Sequence, residues 1–273
     1  MAITTLDGVI AGMTPPQMFL KNGGTMEGVG QLHSLFYTAG RPGAAVAPTP
    51  GMAGAALTTY AGQIPFTNPV SGNSYLARLQ ANTNLVGTLV LCDRLWHNSG
   101  IAVTTTTAQT VNSVAWPARD SGGLTNGNNI GVALEVSTAT TNAAANSTMS
   151  ISYTNQAGTA GKTGNVGAAI PLAFPATAVA GTFVPFTFAA GDTGVRSIQT
   201  ITLAVSLGAG TVHLVAYREL ARLEITAANI GNAIDALTSG FVRMYDNTVP
   251  YLLWVPSATT AVQFQGSLIV TQG

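Results

Sequence analysis

The chain has 273 residues and a formal net charge of zero, and only 7% of its residues are charged, whereas a soluble globular domain has about 25%. Without a basic stripe it lacks a footprint for nucleic acid, and recurring Thr, Asn, Ser, Gly and Pro exclude the roughly 20-residue apolar run of a membrane span. Residues 42–77 and 247–273 contain no charged side chain at all. Because a free surface normally uses charge to keep neighbours apart, this composition predicts a surface that faces other protein.

Residues 1–30 are predicted to be an N-terminal arm. Thr14 followed by Pro15 is typical of a helix start, which predicts a short helix to Lys21, and a weaker helical start lies at Thr5. The segment cannot form a core of its own, so we expect it to pack on something else, such as a neighbouring subunit. The first residues lack the basic and apolar regions of a signal peptide, which predicts synthesis in a cytoplasm.

Residues 31–70 are predicted to form an extended segment rich in Gly, Pro and Ala. A strand is expected over 31–38, followed by a loop that runs from Gly40 to Pro69. Few backbone ladders are expected in this loop, because Pro lacks an N–H donor and Gly loses much entropy when ordered. Structureless loops of this length are rare in compact domains. The loop is therefore either wrapped over a surface or ordered by a partner.

Residues 71–273 are predicted to form a β-sandwich or jelly-roll-like domain. Alternating polar and apolar residues between Gly-, Asn- and Thr-rich turns predict strands. The predicted strands span 74–80, 84–96, 101–114, 131–138, 148–155, 182–188, 197–207, 211–217, 249–255 and 261–271. The apolar run within 84–96 is expected to be covered on both faces, Pro185 favours an edge strand, and Gly208–Gly210 indicates a hairpin.

One helix is predicted near the C-terminus, over 227–237. Ile230, Ile234 and Leu237 fall at helical spacing after a possible Thr226 cap, and Gly240 would end the helix. The chain is thus predicted to be mainly all-β, with one short helix. A division of the sandwich into two subdomains is expected, if present, near 160–181.

The sequence contains no motif that predicts a metal, a cofactor or catalysis. Lys162 and its neighbours look like the end of a phosphate loop, but Gln156 stands where the glycine is needed, which favours a hairpin tip. Asp93 and His97 would lie roughly 13 Å apart on a strand, too far to share a metal. Cys92 lies in an apolar run and is expected to be buried and unreactive. Catalysis by distant Ser, His and Asp residues stays open on residue types alone.

Other polar and aromatic residues have two interpretations each. Asp93 and Arg94 are expected to form a local ion pair or a strand-end contact, and the charges from Arg218 to Glu224 an exposed segment or an inter-subunit salt bridge. The tryptophans are Trp96, Trp116 and Trp254. They are expected to be core aromatics or interface anchors, with a carbohydrate-stacking surface as the weaker alternative.

Short phrases of the sequence resemble virion structural proteins of tailed bacteriophages. The phrases lie at 62–69, 75–79, 153–163 and 191–200. Within that class the chain is most similar to capsid decoration, or cement, proteins, which are low-charge β-domains with arms that lap over neighbours. The resemblance implies a non-enzymatic homotrimer on the outside of a virion, with the major capsid protein as its partner and without a cofactor, nucleic acid or membrane.

This resemblance directs attention to apolar side chains in the first 70 residues. The candidates for partner binding are Met13, Met18, Phe19, Met26, Phe36, Tyr37 and Phe66. Two alternatives remain open. The chain could be a tail, neck or fibre-base subunit of a virion, or a carbohydrate-binding domain for host attachment, which would need exposed aromatics beside carboxylates.

Overall fold

In a computed structural model, residue 3 and residues 5–273 are described as three antiparallel β-sheets and two short helices. The elements are α1 (Leu6–Ala11), β1 (Gln17–Gly23), β2 (His33–Ser34), β3 (Gly40–Arg41), β4 (Ala55–Ala56), β5 (Ser74–Thr83), β6 (Gly87–His97), β7 (Gln109–Thr110), β8 (Gly131–Thr138), β9 (Ser150–Asn155), β10 (Lys162–Asn165), β11 (Phe183–Pro185), β12 (Val195–Thr202), β13 (Thr211–Ile225), β14 (Asn232–Asp235), α2 (Ala236–Ser239), β15 (Arg243–Met244), β16 (Pro250–Pro256) and β17 (Val262–Gln272). The prediction of a mainly all-β, sandwich-like fold is confirmed.

Of the three sheets, the central one packs against both of the others. The central sheet has the strand order β11-β8-β13-β6-β16-β2, with β4 also paired to β6. The terminal sheet, which contains the first and last strands, has the order β14-β5-β17-β1-β3, with β15 also paired to β5. The small sheet has the order β10-β9-β12-β7. Long antiparallel strands thus connect sequence-distant parts of the chain.

One face of the central sheet carries both large core clusters. Leu214 of β13 packs in a cluster with Ile151 and Ile198 of the small sheet. Further along the same strand, Leu220 packs in a second cluster with Leu268 of the terminal sheet. The 15-residue β13 therefore contributes to both clusters. We call this face of the central sheet the inner face.

The outer face of the central sheet is covered by the Gly-, Pro- and Ala-rich segment. Phe36 and Tyr60 lie stacked there with ring centroids 5.8 Å apart, and Phe36 packs among buried residues of the sheet. The backbone of the segment bonds to the sheet, with Leu57 N–H donating to the Leu95 carbonyl at 2.8 Å and Ile64 N–H to the Pro250 carbonyl at 2.8 Å. Of the two expectations for this loop, wrapping over a surface is the one observed, and the surface is the chain's own.

The helix predicted from residue 14 to Lys21 is wrong, because residues 17–23 form β1 between β17 and β3. Burial alternates along it, with Phe19 inside and its neighbours outside, so a ladder overrides the local Thr-Pro signal. The weaker start is the correct one: Thr5 caps α1 by accepting a hydrogen bond from Gly8 N–H at 3.1 Å. Residues 1, 2 and 4 of the predicted arm lie outside the described residues.

Three predictions of strands or turns in the middle of the chain also need correction. The strand over 31–38 is reduced to β2, and the strand over 101–114 to β7. In the latter region the Gln109 amide bonds both backbone groups of Ala102, at 2.8 and 3.0 Å, which takes the place of a ladder. The Gly208–Gly210 turn is not a hairpin, because β12 lies in the small sheet and β13 in the central sheet.

The helix predicted over 227–237 is wrong as well. Ile234 lies in β14 opposite Leu79 of β5, so its helical spacing from its apolar neighbours is coincidental. The short α2 follows, and Asp235 caps it by accepting from two backbone N–H groups at 3.0 Å each. Gly240 ends the helix as predicted, with φ 77°.

Several predicted strands are confirmed. Residues 131–138 form β8 with the expected bounds, and Pro185 lies in β11 at the edge of the central sheet. Residues 89–97 of β6 are buried without interruption, which agrees with an expected strand covered on both faces. The Gly-rich run before Lys162 connects β9 to β10 as a hairpin.

Candidate functional site

The outward side of the terminal sheet exposes apolar side chains on a regular strand. Met18 and Leu20 of β1 are 56% and 48% exposed, while Phe19 between them is 1% exposed and points into the core. Across the ladders Met18 faces Ser267, and Leu20 faces Gln265 of β17 and the exposed Arg41 of β3. An open cleft of about 460 Å³ is lined by Met18, Gln265 and further uncharged polar side chains, with Arg78 as its one charged lining residue.

More apolar side chains surround this side of the sheet. Of the sixteen strongly exposed large apolar side chains in the described part of the chain, seven lie in α1, β1 or α2 or in the residues just before β1 and β14. They are Leu6, Ile10, Met13, Met18, Leu20, Ile230 and Leu237, and we call this set the apolar face. A second cleft, of about 420 Å³, lies between α1 and α2 and is lined by Leu6, Val9 and Leu237. Such concentration on one side is typical of a protein interface.

The charged residue of β1 points away from the apolar face. Lys21 is buried, and its Nζ donates to the carbonyls of Thr38 at 3.2 Å and Gly43 at 3.3 Å. Burial lowers the pKa of Lys21 to about 8. The strand therefore offers apolar side chains outward while its ammonium group ties the covering loop to the sheet.

The structure divides the seven side chains predicted to bind a partner into three groups. Those that are strongly exposed are Met13 and Met18. Those that are partly covered are Tyr37 and Phe66. Those buried in their own chain are Phe19, Met26 and Phe36, so in this fold they cannot reach a partner. The sequence reasoning missed Leu20, which the alternation along 17–23 would have identified.

A buried ionic centre lies on the outer face of the central sheet, under the covering segment. Arg94 Nη2 donates to Glu135 Oε2 at 2.6 Å, and both side chains are 0% exposed. Tyr37 donates its hydroxyl to the same oxygen at 3.1 Å, and Arg94 Nε donates to His97 Nδ1 at 3.2 Å. The guanidinium lies 4.5 Å from the centroid of the Phe36 ring. The covering segment is thus held by charge-assisted bonds and by a cation–π contact.

The electrostatics of the ionic centre keep its two partners charged. Burial acts to raise the pKa of Glu135, but the attraction and hydrogen bond of Arg94 outweigh it and leave the pKa lowered. Burial acts to lower the pKa of Arg94, but Glu135 raises it overall. Burial and then repulsion from Arg94 lower the pKa of His97 to about 2. The His97 ring is therefore neutral, and its Nδ1 is free to accept.

A second buried ion pair fills the seam between the two core clusters. Arg119 Nε and Nη2 donate to the two carboxylate oxygens of Asp93 at 2.9 and 3.1 Å. Asp93 lies on β6 between Leu91 and Leu95, which belong to different clusters. The expectation that Asp93 and Arg94 form a local pair is wrong: adjacent strand residues point to opposite faces, and each of the two pairs with a distant residue.

Ser137 and His213 form the arrangement closest to a catalytic pair. Ser137 Oγ lies 2.7 Å from His213 Nε2, and His213 Nδ1 lies 2.8 Å from the Asn98 carbonyl oxygen. Because a carbonyl only accepts, Nδ1 carries the hydrogen and Nε2 accepts from the serine. None of the clefts described in this section is lined by either residue. The bonds satisfy both nitrogens of a buried ring, which is a structural role.

For the tryptophans and for the charged residues of β13, the structure favours the simpler of the two interpretations given above. Trp96, Trp116 and Trp254 are all buried, so the prediction of core aromatics is confirmed and a sugar-stacking surface built from them is wrong. Glu219 and Arg222 form an exposed ion pair at 2.6 Å within β13. This agrees with the expected exposed charged segment for Glu219, Arg222 and Glu224, whereas Arg218 at its start is buried.

Cys92 is expected to resist thiol reagents in the folded protein. The residue is buried, and burial raises the pKa of its thiol well above the ordinary value, so little reactive thiolate forms at pH 8. Ellman's reagent should label the thiol only after denaturation in guanidinium chloride. Rapid stoichiometric labelling of the native protein would contradict this placement.

Comparisons with protein-family models, curated proteins and solved structures find no match to this chain. Within residue 3 and residues 5–273, no group of three or more His, Cys, Asp and Glu side chains is arranged to hold a metal ion. The helices in that part of the chain are too short to cross a membrane. The apolar face and the two buried ion pairs are therefore the features from which a function can be argued.

Proposed function

We propose that this chain is a non-enzymatic structural subunit of a tailed-phage virion, which binds the outside of the capsid and bridges neighbouring capsid subunits. The observation that carries the proposal is the apolar face, which includes Met18 and Leu20 of β1. The class of assembly comes from the sequence phrases described above. The proposed partner is the major capsid protein, and the proposed state is a homotrimer.

The geometry of β1 suits a binding surface. The strand is paired on both sides, by β17 and β3, so its outward side chains are already ordered before a partner arrives. Preorganisation of this kind lowers the entropy lost on association. Contact through apolar and uncharged polar groups is also less sensitive to salt than contact through ion pairs. These properties suit a clamp that must hold a shell under changing ionic conditions.

A tail, neck or fibre-base subunit is the second candidate from the same class, because rings and tubes also bury charge-poor sheets. The carbohydrate-binding alternative is less well supported, since the three tryptophans are buried. The copy number of the chain in purified particles, measured by quantitative mass spectrometry against the major capsid protein, separates these candidates. Hundreds of copies support decoration of the shell, a few dozen support the tail or neck, and absence from particles overturns the proposal.

Placing charge on the apolar face is expected to abolish attachment to particles. The double variant Met18→Glu, Leu20→Glu should bind capsids at least about 100-fold more weakly, because two apolar side chains contribute about 3–6 kcal/mol when buried. Co-sedimentation with particles stripped of this protein measures the effect. Both side chains are exposed, so the free energy of unfolding should change by less than about 1 kcal/mol.

The matched control is Val205→Glu, which places the same charge on an exposed apolar residue outside the apolar face. It should bind like the wild type. Equal binding of the double variant and the control would rule out the apolar face as the contact. Deletion of residues 1–30 is a poorer test, since it would remove β1 from its sheet and mix binding with folding.

A further inference from the structure

Two arginines flank one tyrosine ring next to the seam of the core. The guanidinium carbons of Arg218 and Arg243 each lie 5.0 Å from the centroid of the Tyr245 ring. Arg218 Nη2 donates to the Arg243 carbonyl at 2.8 Å, and the Tyr245 hydroxyl donates to the Ser121 carbonyl at 3.2 Å. These contacts hold the side chains of Arg218 and Arg243 beside the Tyr245 ring. We call Arg218 and Arg243 the arginine pair.

Arg218 and Arg243 have no carboxylate partner in the described part of the chain. Arg218 is only 5% exposed, yet within residue 3 and residues 5–273 neither arginine forms an ion pair. The nearby carboxylates are already engaged: Asp93 binds Arg119, and Asp120 accepts from three backbone N–H groups at 2.8–3.2 Å. Neither of these carboxylates is therefore paired with Arg218 or Arg243.

Unused hydrogen-bond donors point to the same conclusion. The Nε atoms of Arg218 and Arg243 are both buried and lack a hydrogen-bond partner among the described residues. Buried polar groups are nearly always bonded, and a buried charge without a partner is costly. Burial lowers the pKa of Arg218, which reflects the same cost. Arg243 and Tyr245 are only partly buried, so the arginine pair lies close to the protein surface.

We propose that Arg218 and Arg243 bind a carboxylate group, supplied either as a free carboxylate anion or as an acidic side chain of a neighbouring chain. A carboxylate gives these arginines the anionic partner that the described residues do not supply. Its two oxygens match the parallel N–H donors of a guanidinium, which favours a carboxylate over a monatomic anion. This proposal rests only on the contacts of Arg218 and Arg243 and is independent of the proposed virion role.

The test is a titration of the full chain with sodium acetate against sodium chloride at constant pH and ionic strength. The side-chain Nε–H signals of Arg218 and Arg243 are followed by NMR, together with the melting temperature. Saturable shifts of both signals and a higher melting temperature in acetate are expected. A linear response, or none, would overturn the proposal and leave internal water as the partner of these donors.

Variants separate a specific site from a general salt effect. Arg243→Gln should bind acetate at least about 10-fold more weakly, since it loses a charge-assisted bond, while Arg196→Gln, at an exposed arginine, should bind normally. If Arg243→Gln fails to fold, Arg218→Met serves instead and should lose the acetate response. Equal acetate responses in the variants and the wild type would refute the site. Tight binding indicates a free anion, and weak saturable binding a carboxylate tethered at high effective concentration.

Discussion

Replacing Arg94 with methionine is expected to lower the free energy of unfolding by about 3–5 kcal/mol, because it leaves the Glu135 carboxylate charged and buried without its partner. The two side chains are 0% exposed and joined at 2.6 Å. Tyr37 would still donate to Glu135, but one neutral hydroxyl cannot replace a guanidinium. Urea unfolding followed by tryptophan fluorescence measures the loss.

Two further variants make this result specific to an uncompensated charge. The double replacement Arg94→Met, Glu135→Leu should recover most of the stability, since a buried ion pair and an apolar pair of similar volume are often close in free energy. The matched control Arg222→Met breaks the exposed pair with Glu219 and should cost no more than about 1 kcal/mol. A single variant no worse than this control would show that Glu135 has another source of compensation.

Stability is expected to fall steeply as the pH drops from 7 to 5, because three histidines are buried in their neutral form. Burial lowers the pKa of His33 to about 4, with Glu135 acting weakly in the opposite sense. Burial and Arg94 lower the pKa of His97 to about 2, and burial also lowers the pKa of His213. In the unfolded chain each ring takes up a proton near pH 6.5, so acid favours unfolding.

The direction of this pH dependence, and the pH range in which it occurs, follow from the linkage between protonation and folding. Each lowered pKa contributes stability that is present above about pH 6.5 and is lost as the pH falls toward the folded value, at about 1.4 kcal/mol per pH unit per proton. His33 and His97 together should remove about 4 kcal/mol between pH 7 and pH 5, and His213 adds to this. Glu135, whose pKa is lowered, acts in the same direction only below about pH 4.3.

Denaturant unfolding at pH 7, 6 and 5 measures this loss, and two to three protons should be taken up on unfolding near pH 5.5. His97→Gln is the matched variant, because its amide oxygen can still accept from Arg94 Nε. It should flatten the pH dependence by about one proton. Uptake of less than one proton in the wild type would contradict neutral burial of these rings.

The strands that the sequence predicts well are those whose pattern reflects burial directly. The run that becomes β8 has the expected bounds, because both faces of its strand lie in the interior. The segments predicted wrongly as helices are residues 14–21 and 227–237, which became β1 and β14. Their helical signals are local, and the ladders that override them come from β17 and β5.

The sequence predicted only part of the apolar face. Met13 and Met18 were predicted as contacts and are exposed, whereas Phe19 and Phe36 were also predicted and are buried. Composition marks which side chains are apolar, but exposure depends on which face of a strand meets the core. The Arg94–Glu135 pair was not predicted at all, since 41 residues separate its partners.

The sequence by itself determined the class of fold, the scarcity of charge and the burial of its tryptophans and cysteine, because these follow from composition and from short-range periodicity. The tertiary structure alone decided that the Gly- and Pro-rich segment covers its own sheet and that four of the charged residues form two buried ion pairs. It also placed Met18 and Leu20 on one outward face and left the arginine pair without a carboxylate. Such features depend on strand pairing between distant residues, which the local sequence does not specify.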